Sequence, residues 1–130
     1  MIGLLDTNAL LWSAFLPDKL SRAASETFRN AETLRFSIVS LWEIGLKLSR
    51  GGYHDMELPG HWETMIPEGC REQGIQILSI APADCRLIQD MPFHHRDPFD
   101  RMLAAQAIRI RATILTPDKI FDDYGIRRVW

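Results

Sequence analysis

Four acidic residues occupy positions from which their side chains could act together on one substrate. Asp6 and Asp118 closely follow short apolar runs, and Glu43 and Asp100 each lie three residues after a residue that favours helix starts. Carboxylates held close together repel one another unless a cation lies between them, and such oxygen ligands suit Mg²⁺ or Mn²⁺ better than zinc. Divalent ions in such a site activate water for hydrolysis of phosphate esters. The pattern therefore predicts a divalent-metal site.

Each acid also has a purely structural explanation. The stretch Ser40 to Glu43 has the form of a capping box, and Asp97 before Pro98 is typical of a helix start. Capping explains each position singly, but it does not explain why the acids should share one edge of a sheet. We assign Asp97 to the helix cap and leave it outside the metal site. Four other acids lack a strand-end position and a partner at useful spacing, and they are predicted to be solvated: Asp84, Asp90, Asp122 and Asp123.

Strand and helix patterns alternate along the chain, and they predict how the acids are positioned. Strands are predicted at 2–5, 35–39, 75–80, 112–115 and, as an edge strand, 127–130. Helices are predicted at 9–16, 22–31, 40–50, 61–73 (interrupted or kinked at Pro67), 82–91 and 97–111. This alternation favours a three-layer α/β/α sandwich with a mainly parallel sheet of four or five strands. The carboxyl ends of parallel strands share one edge, where ligands bind.

Composition limits the class of protein. The 130 residues are 46% hydrophobic and 25% charged, which indicates one globular domain spanning 1–130. The net charge of -2 provides no general attraction for nucleic acid, so such binding would need a local site. No apolar run is long enough to span a membrane and no secretory signal is recognisable, so we expect a cytoplasmic protein. Cys70 and Cys85 are expected to be reduced and half-buried.

Four short motifs, in this order, resemble those of PIN-domain ribonucleases, and more narrowly the VapC-type toxins of bacterial toxin–antitoxin pairs. They lie at 4–12 (LLDTNALLW), 40–44 (SLWEI), 94–101 (HHRDPFDR) and 115–118 (LTPD). The similarity spans essentially the whole chain. The resemblance implies a PIN fold, endoribonuclease activity that depends on Mg²⁺ or Mn²⁺, and a homodimer that a cognate antitoxin neutralises in a heterotetramer or larger complex.

The resemblance also implies roles for individual residues. The four acids match the family's catalytic and metal-binding acids by position: Asp6, Glu43, Asp100 and Asp118. Polar residues expected to support them are Thr7, Asn8, Ser40 and Thr116. Pro117 departs from the family pattern, in which a non-proline residue is common, and this affects how Asp118 is presented. Whether one ion or two would bind stays open.

Cationic side chains around Asp100 are candidates for contacts with RNA phosphates: His94, His95, Arg96 and Arg101. The alternative is a solvent-exposed loop in which Arg101 pairs with a nearby acid, and we slightly favour the RNA contact for Arg101. Trp12 and Trp42 could stack on bases, but core packing is the better interpretation of their positions on helices.

Two other classes of function compete with a metal-dependent endoribonuclease. The first is a catalytically idle PIN-like module that binds RNA or protein; the complete set of mutually repelling acids argues against it. The second is a phosphohydrolase or phosphotransfer receiver of the doubly wound class, which would need paired acids after the first strand. Here Asp6 alone follows that strand. The RNA that is cleaved and the type of antitoxin stay open.

Overall fold

The computed structural model describes the chain from Met1 to Trp130, and its centre is one sheet of five parallel strands. In chain order the strands are β1 (Ile2–Leu5), β2 (Thr33–Ser37), β3 (Gln76–Leu78), β4 (Thr113–Leu115) and β5 (Arg128–Val129). Their spatial order is β3-β2-β1-β4-β5, which confirms a parallel sheet with a short edge strand at the end of the chain. The chain first builds outward from β1 in one direction and then crosses to the other side. The switch point of the sheet therefore lies between β1 and β4, where parallel α/β sheets bind ligands.

Helices cover both faces of this sheet. In chain order they are α1 (Thr7–Phe15), α2 (Arg22–Asn30), α3 (Ile38–Ser49), α4 (Trp62–Glu72), α5 (Pro82–Asp90) and α6 (Pro98–Ile110), with 3₁₀ turns at Pro17–Lys19 and Lys119–Tyr124. None of them is long and apolar enough to cross a membrane.

Neighbouring residues of the central strands point into two separate cores. Leu5 and Leu115 pack with side chains of α1, α3 and α4, whereas Leu4 and Ile114 pack with side chains of α6. A strand that is buried on both faces needs apolar residues at consecutive positions, which explains the unbroken apolar run of β1. The predicted three-layer α/β/α architecture is confirmed.

The start of α3 differs from the prediction, and the difference matters for the site. The helix was predicted to begin at Ser40, but Ser37 is the N-cap and its hydroxyl accepts a hydrogen bond from the Val39 amide at 3.1 Å. Ile38 and Val39 looked like the end of a strand because both are β-branched. They form the first turn of the helix instead, and β2 ends before them.

One other boundary was also wrong. Strand β3 is limited to Gln76–Leu78, whereas residues up to Ile80 had been assigned to it. Pro67 lies inside α4 without ending the helix.

Asp84, predicted to be solvated, is fully buried. It lies in the first turn of α5, where it accepts a hydrogen bond from the Ala81 amide at 2.8 Å and forms a two-pronged ion pair with Arg109 of α6. Arg109 is 25 residues from Asp84 in the chain, so no local sequence spacing indicates this ion pair. Both cysteines are free, as expected, but Cys70 is buried and Cys85 exposed rather than both half-buried.

We predict that Arg109→Met destabilises the protein by about 3 kcal/mol, because it leaves the Asp84 carboxylate buried without its partner. Urea denaturation would measure the change in the free energy of unfolding. The matched control is Arg86→Met, which breaks the exposed pair between Arg86 and Asp90 on α5. That change should cost less than about 0.5 kcal/mol. Equal effects of the two substitutions would contradict a stabilising role for the buried pair.

Candidate metal centre

Asp6 stands at the switch point of the sheet, between the end of β1 and the start of α1. It is the N-cap of α1, and its carboxylate accepts a hydrogen bond from the Ala9 amide at 2.7 Å. Burial raises the pKa of Asp6 to about 6, although hydrogen bonds from Thr116 and Ala9 act in the opposite direction. The negative charges of Asp100 and Asp118 raise this pKa further. Capping therefore accounts for one oxygen of Asp6 but not for the like charges around it.

Glu43 lies in the second turn of α3, because this helix begins at Ile38. The proposed capping box was therefore wrong, and Ser40 is a buried helical residue. The Thr7 hydroxyl lies 2.8 Å from Glu43 Oε1 and 3.0 Å from Ser40 Oγ, so it ties the start of α1 to α3. Burial raises the pKa of Glu43 to about 7; the Thr7 hydrogen bond opposes this shift, and the charges of Asp100, Asp97 and Asp6 add to it.

Asp100 belongs to a compact group at the start of α6. Its Oδ2 is 2.8 Å from His95 Nε2, and ligand atoms of His95, Asp97 and Asp100 all lie within 4.8 Å of one another. Burial raises the pKa of Asp100, and the hydrogen bond with His95 lowers it. Asp97 is the helix N-cap, as predicted, and accepts hydrogen bonds from the amides of Phe99 and Asp100. It also belongs to the compact group, from which we had excluded it.

Asp118 is the most exposed of the four acids. It caps the 3₁₀ turn Lys119–Tyr124, and its own amide donates to Thr116 Oγ1 at 3.0 Å. Strand β5 holds this segment, since the Thr116 amide donates to the Val129 carbonyl and Arg128 donates to the Thr116 carbonyl. The charge of Asp118 contributes to the raised pKa of both Asp6 and Asp100.

The four predicted acids are thus linked electrostatically, with Asp97 and His95 added to them. Glu43, Asp6, Asp97 and Asp118 form no salt bridge, and the one pairing of Asp100 is with His95. Buried carboxylates without a lysine or arginine partner are costly when ionised. Carboxylate oxygens that lack such a partner form a donor set that fits a hard divalent cation.

The predicted RNA-binding residues fall into two groups. His94 and Arg96 are exposed, and His95 is half-buried against Asp100. Arg101, favoured from the sequence, is instead buried: its guanidinium donates to the carbonyls of Pro92 and Ile88 and to the Tyr124 hydroxyl. It pairs with no acid, and its role in this structure is to hold the loop before α6.

Two other side chains also differ from expectation. Trp42, expected in the core, is 62% exposed and lies edge-on against Phe99. Asn8, expected to support the acids, is exposed and makes no side-chain hydrogen bond. Trp12 is half-buried against Trp130, as core packing requires.

The chain is similar to known proteins in both sequence and fold. Residues 3–126 match the PIN domain family. No curated protein matches the chain. Among solved structures, a chain of the DNA-bound VapBC from Salmonella typhimurium superposes with a TM-score of 0.72 at 18% identity, covering 98% of this chain and 96% of that chain.

Two further structures have the same fold. VapBC2 from Rickettsia felis, bound to a DNA fragment from its promoter, gives a TM-score of 0.69 at 15% identity, covering 98% of this chain and 97% of that chain. FitAcB from Neisseria gonorrhoeae gives 0.63 at 18% identity, covering 98% and 96%. At these identities the likeness establishes a shared fold over the full length of the chain.

We predict that Asp6→Asn stabilises the metal-free protein at high pH. Since burial raises the pKa of Asp6 from 3.8 to about 6, ionisation is easier in the unfolded chain. The wild type therefore loses stability relative to the variant as pH rises from about 4 to 6, by on the order of 3 kcal/mol, and the difference persists above pH 6. Urea denaturation in EDTA at pH 4, 6 and 8 would measure it. A difference that is independent of pH would contradict the shift.

Proposed function

This chain belongs to the PIN-domain family, whose members are generally nucleases, and from that premise we propose that it is an endoribonuclease dependent on Mg²⁺ or Mn²⁺. The observation that carries the proposal is a group of buried and half-buried acids that have raised pKa values and no lysine or arginine partner. If these acids served only as helix caps, nothing would offset the repulsion between their carboxylates, whereas a bound cation would offset it.

Four carboxylates would hold the ion: Asp6, Glu43, Asp100 and Asp118. When bound, a divalent ion supplies an activated water and stabilises the negative charge that develops on the phosphate. The Glu43 carboxylate is held by its hydrogen bond with the Thr7 hydroxyl, which also contacts Ser40. The Asp100 carboxylate is likewise held by its hydrogen bond with His95. Thr116 contacts two of the acids: its side chain hydrogen-bonds to Asp6, and its hydroxyl accepts a hydrogen bond from the Asp118 amide.

The substrate in this proposal is RNA, and the exposed cations next to the acids support it. His94 and Arg96 are exposed on the loop that also carries His95, and in this proposal they contact phosphates of the RNA. The remaining cation of that loop region, Arg101, contributes by holding the loop rather than by contacting substrate.

We further propose that the chain is the toxin of a toxin–antitoxin pair, as a homodimer that a cognate antitoxin binds in a heterotetramer or larger complex. The support is the shared fold with structures described as VapBC, over nearly the full length of both chains. Expression of the chain alone and together with a small protein encoded next to it would test this. Growth arrest only in the absence of that protein is the expected result.

We predict that Asp6→Asn and Asp100→Asn each lower RNA cleavage by about 100-fold or more, because each removes a ligand charge of the ion. Cleavage would be followed on total RNA in Mg²⁺, in Mn²⁺ and in EDTA, where the wild type should be inactive. The matched control is Asp123→Asn, an exposed aspartate without a salt bridge. Cleavage at the wild-type rate by either site variant would overturn the mechanism. No cleavage by the wild type in any metal would favour an idle PIN-like binding module.

A further inference from the structure

Two aromatic side chains that lie close to the site acids in sequence are the most exposed large apolar groups of the chain. Phe93 is 71% exposed and Trp42 is 62% exposed, whereas no other large apolar side chain exceeds 46%. Trp42 directly precedes Glu43 on α3, and Phe93 lies on the loop that carries His95 to Asp100. Large exposed aromatic rings on the segments that carry the site acids indicate a binding surface rather than random surface composition.

Trp42 is held in position without being covered. Its ring packs edge-on against Phe99, with centroids 4.8 Å apart and an interplanar angle of 81°. Phe99 is buried and directly precedes Asp100 in α6. The aromatic pair therefore joins the same two helices that carry Glu43 and Asp100, so the indole has a fixed place relative to the acids.

The ring of Phe93 packs against the guanidinium of Arg101. The guanidinium carbon of Arg101 lies 4.6 Å from the centroid of the Phe93 ring. Arg101 is itself immobilised by hydrogen bonds to the carbonyls of Ile88 and Pro92. One face of the Phe93 ring therefore packs on the Arg101 guanidinium, and the high exposure of Phe93 means that the other face is open to solvent.

The charges around these rings fit a polyanion. His94 and Arg96 are exposed on the same loop as Phe93. Alternation of aromatic and cationic side chains is the arrangement with which proteins bind single-stranded nucleic acids: the rings stack on bases and the cations contact phosphates. A buried copy-to-copy interface would instead favour an apolar surface depleted of charge.

We propose that Trp42 and Phe93 are stacking platforms for two bases of single-stranded RNA near the bond that is cleaved. This proposal rests on the proposed endoribonuclease function and deepens it by naming two side chains that position the bases of the substrate. In a duplex the base faces are already stacked and unavailable, so the two platforms select unpaired RNA.

The test measures binding of a short labelled single-stranded RNA by fluorescence anisotropy, in an Asp6→Asn background that prevents cleavage during the measurement. Trp42→Leu and Phe93→Leu should each weaken binding by about fivefold or more, whereas Trp42→Phe and Phe93→Tyr should retain most of it. The matched control is Ile77→Ala on β3, which removes exposed apolar surface outside the site and should leave binding unchanged. Because both aromatic side chains are exposed, the thermal unfolding midpoints of the two leucine variants should stay near that of the Asp6→Asn parent.

A second RNA, of the same length but abasic, separates stacking from other effects. The parent should bind it more weakly than ordinary RNA, and the two leucine variants should bind it as the parent does. Equal losses on both RNAs, or no loss on either, would overturn the proposal. Conversion of a dimer to a monomer by Trp42→Leu in light scattering, with equal losses on both RNAs, would identify that face as an interface between copies instead. If the wild type neither binds nor cleaves RNA, the proposed function fails as well; if it cleaves RNA and the leucine variants bind normally, only the stacking proposal fails.

Discussion

The removal of acidic side chains from water at the switch point of the sheet, together with their mutual repulsion, is the constraint on which the rest of this structure depends. Asp6 and Glu43 have pKa values raised to about 6 and about 7, mainly because burial disfavours their charged forms. Folding must therefore place unfavourable charges where no lysine or arginine compensates them. The surrounding hydroxyls of Thr7 and Thr116 only reduce this cost. Two apolar cores on opposite faces of the sheet stabilise the fold against it.

The sequence predicted the architecture because the signals for it are local. The apolar run of β1 ends at Asp6, and Asp97 before Pro98 begins α6, as the residue types require. In a parallel sheet these local features are enough to bring strand ends to one edge. The grouping of acids could be predicted for the same reason: it follows from topology, not from side-chain detail.

Features that depend on contacts distant in sequence could not be predicted in this way. Asp84 looked solvated because its partner Arg109 comes from another helix. Arg101 looked like a phosphate contact because nothing nearby in sequence indicates that backbone carbonyls surround its guanidinium. Trp42 was assigned to the core from its position on the apolar face of a predicted helix, although the side chain lies exposed on α3. The place of Ser37 as the cap was hidden by the β-branched residues that follow it.

Strand β5 has only two residues, lies at the edge of the sheet and pairs with β4 alone. Short edge elements open most readily in local unfolding, well before the molecule as a whole unfolds. Fraying of β5 would release the carbonyl and amide of Thr116 from Arg128 and Val129. Thr116 in turn hydrogen-bonds to both Asp6 and the Asp118 amide. The order of the Asp118 side of the acid site therefore depends on local unfolding of β5. The Glu43 side lies on the 12-residue helix α3 and does not depend on that strand.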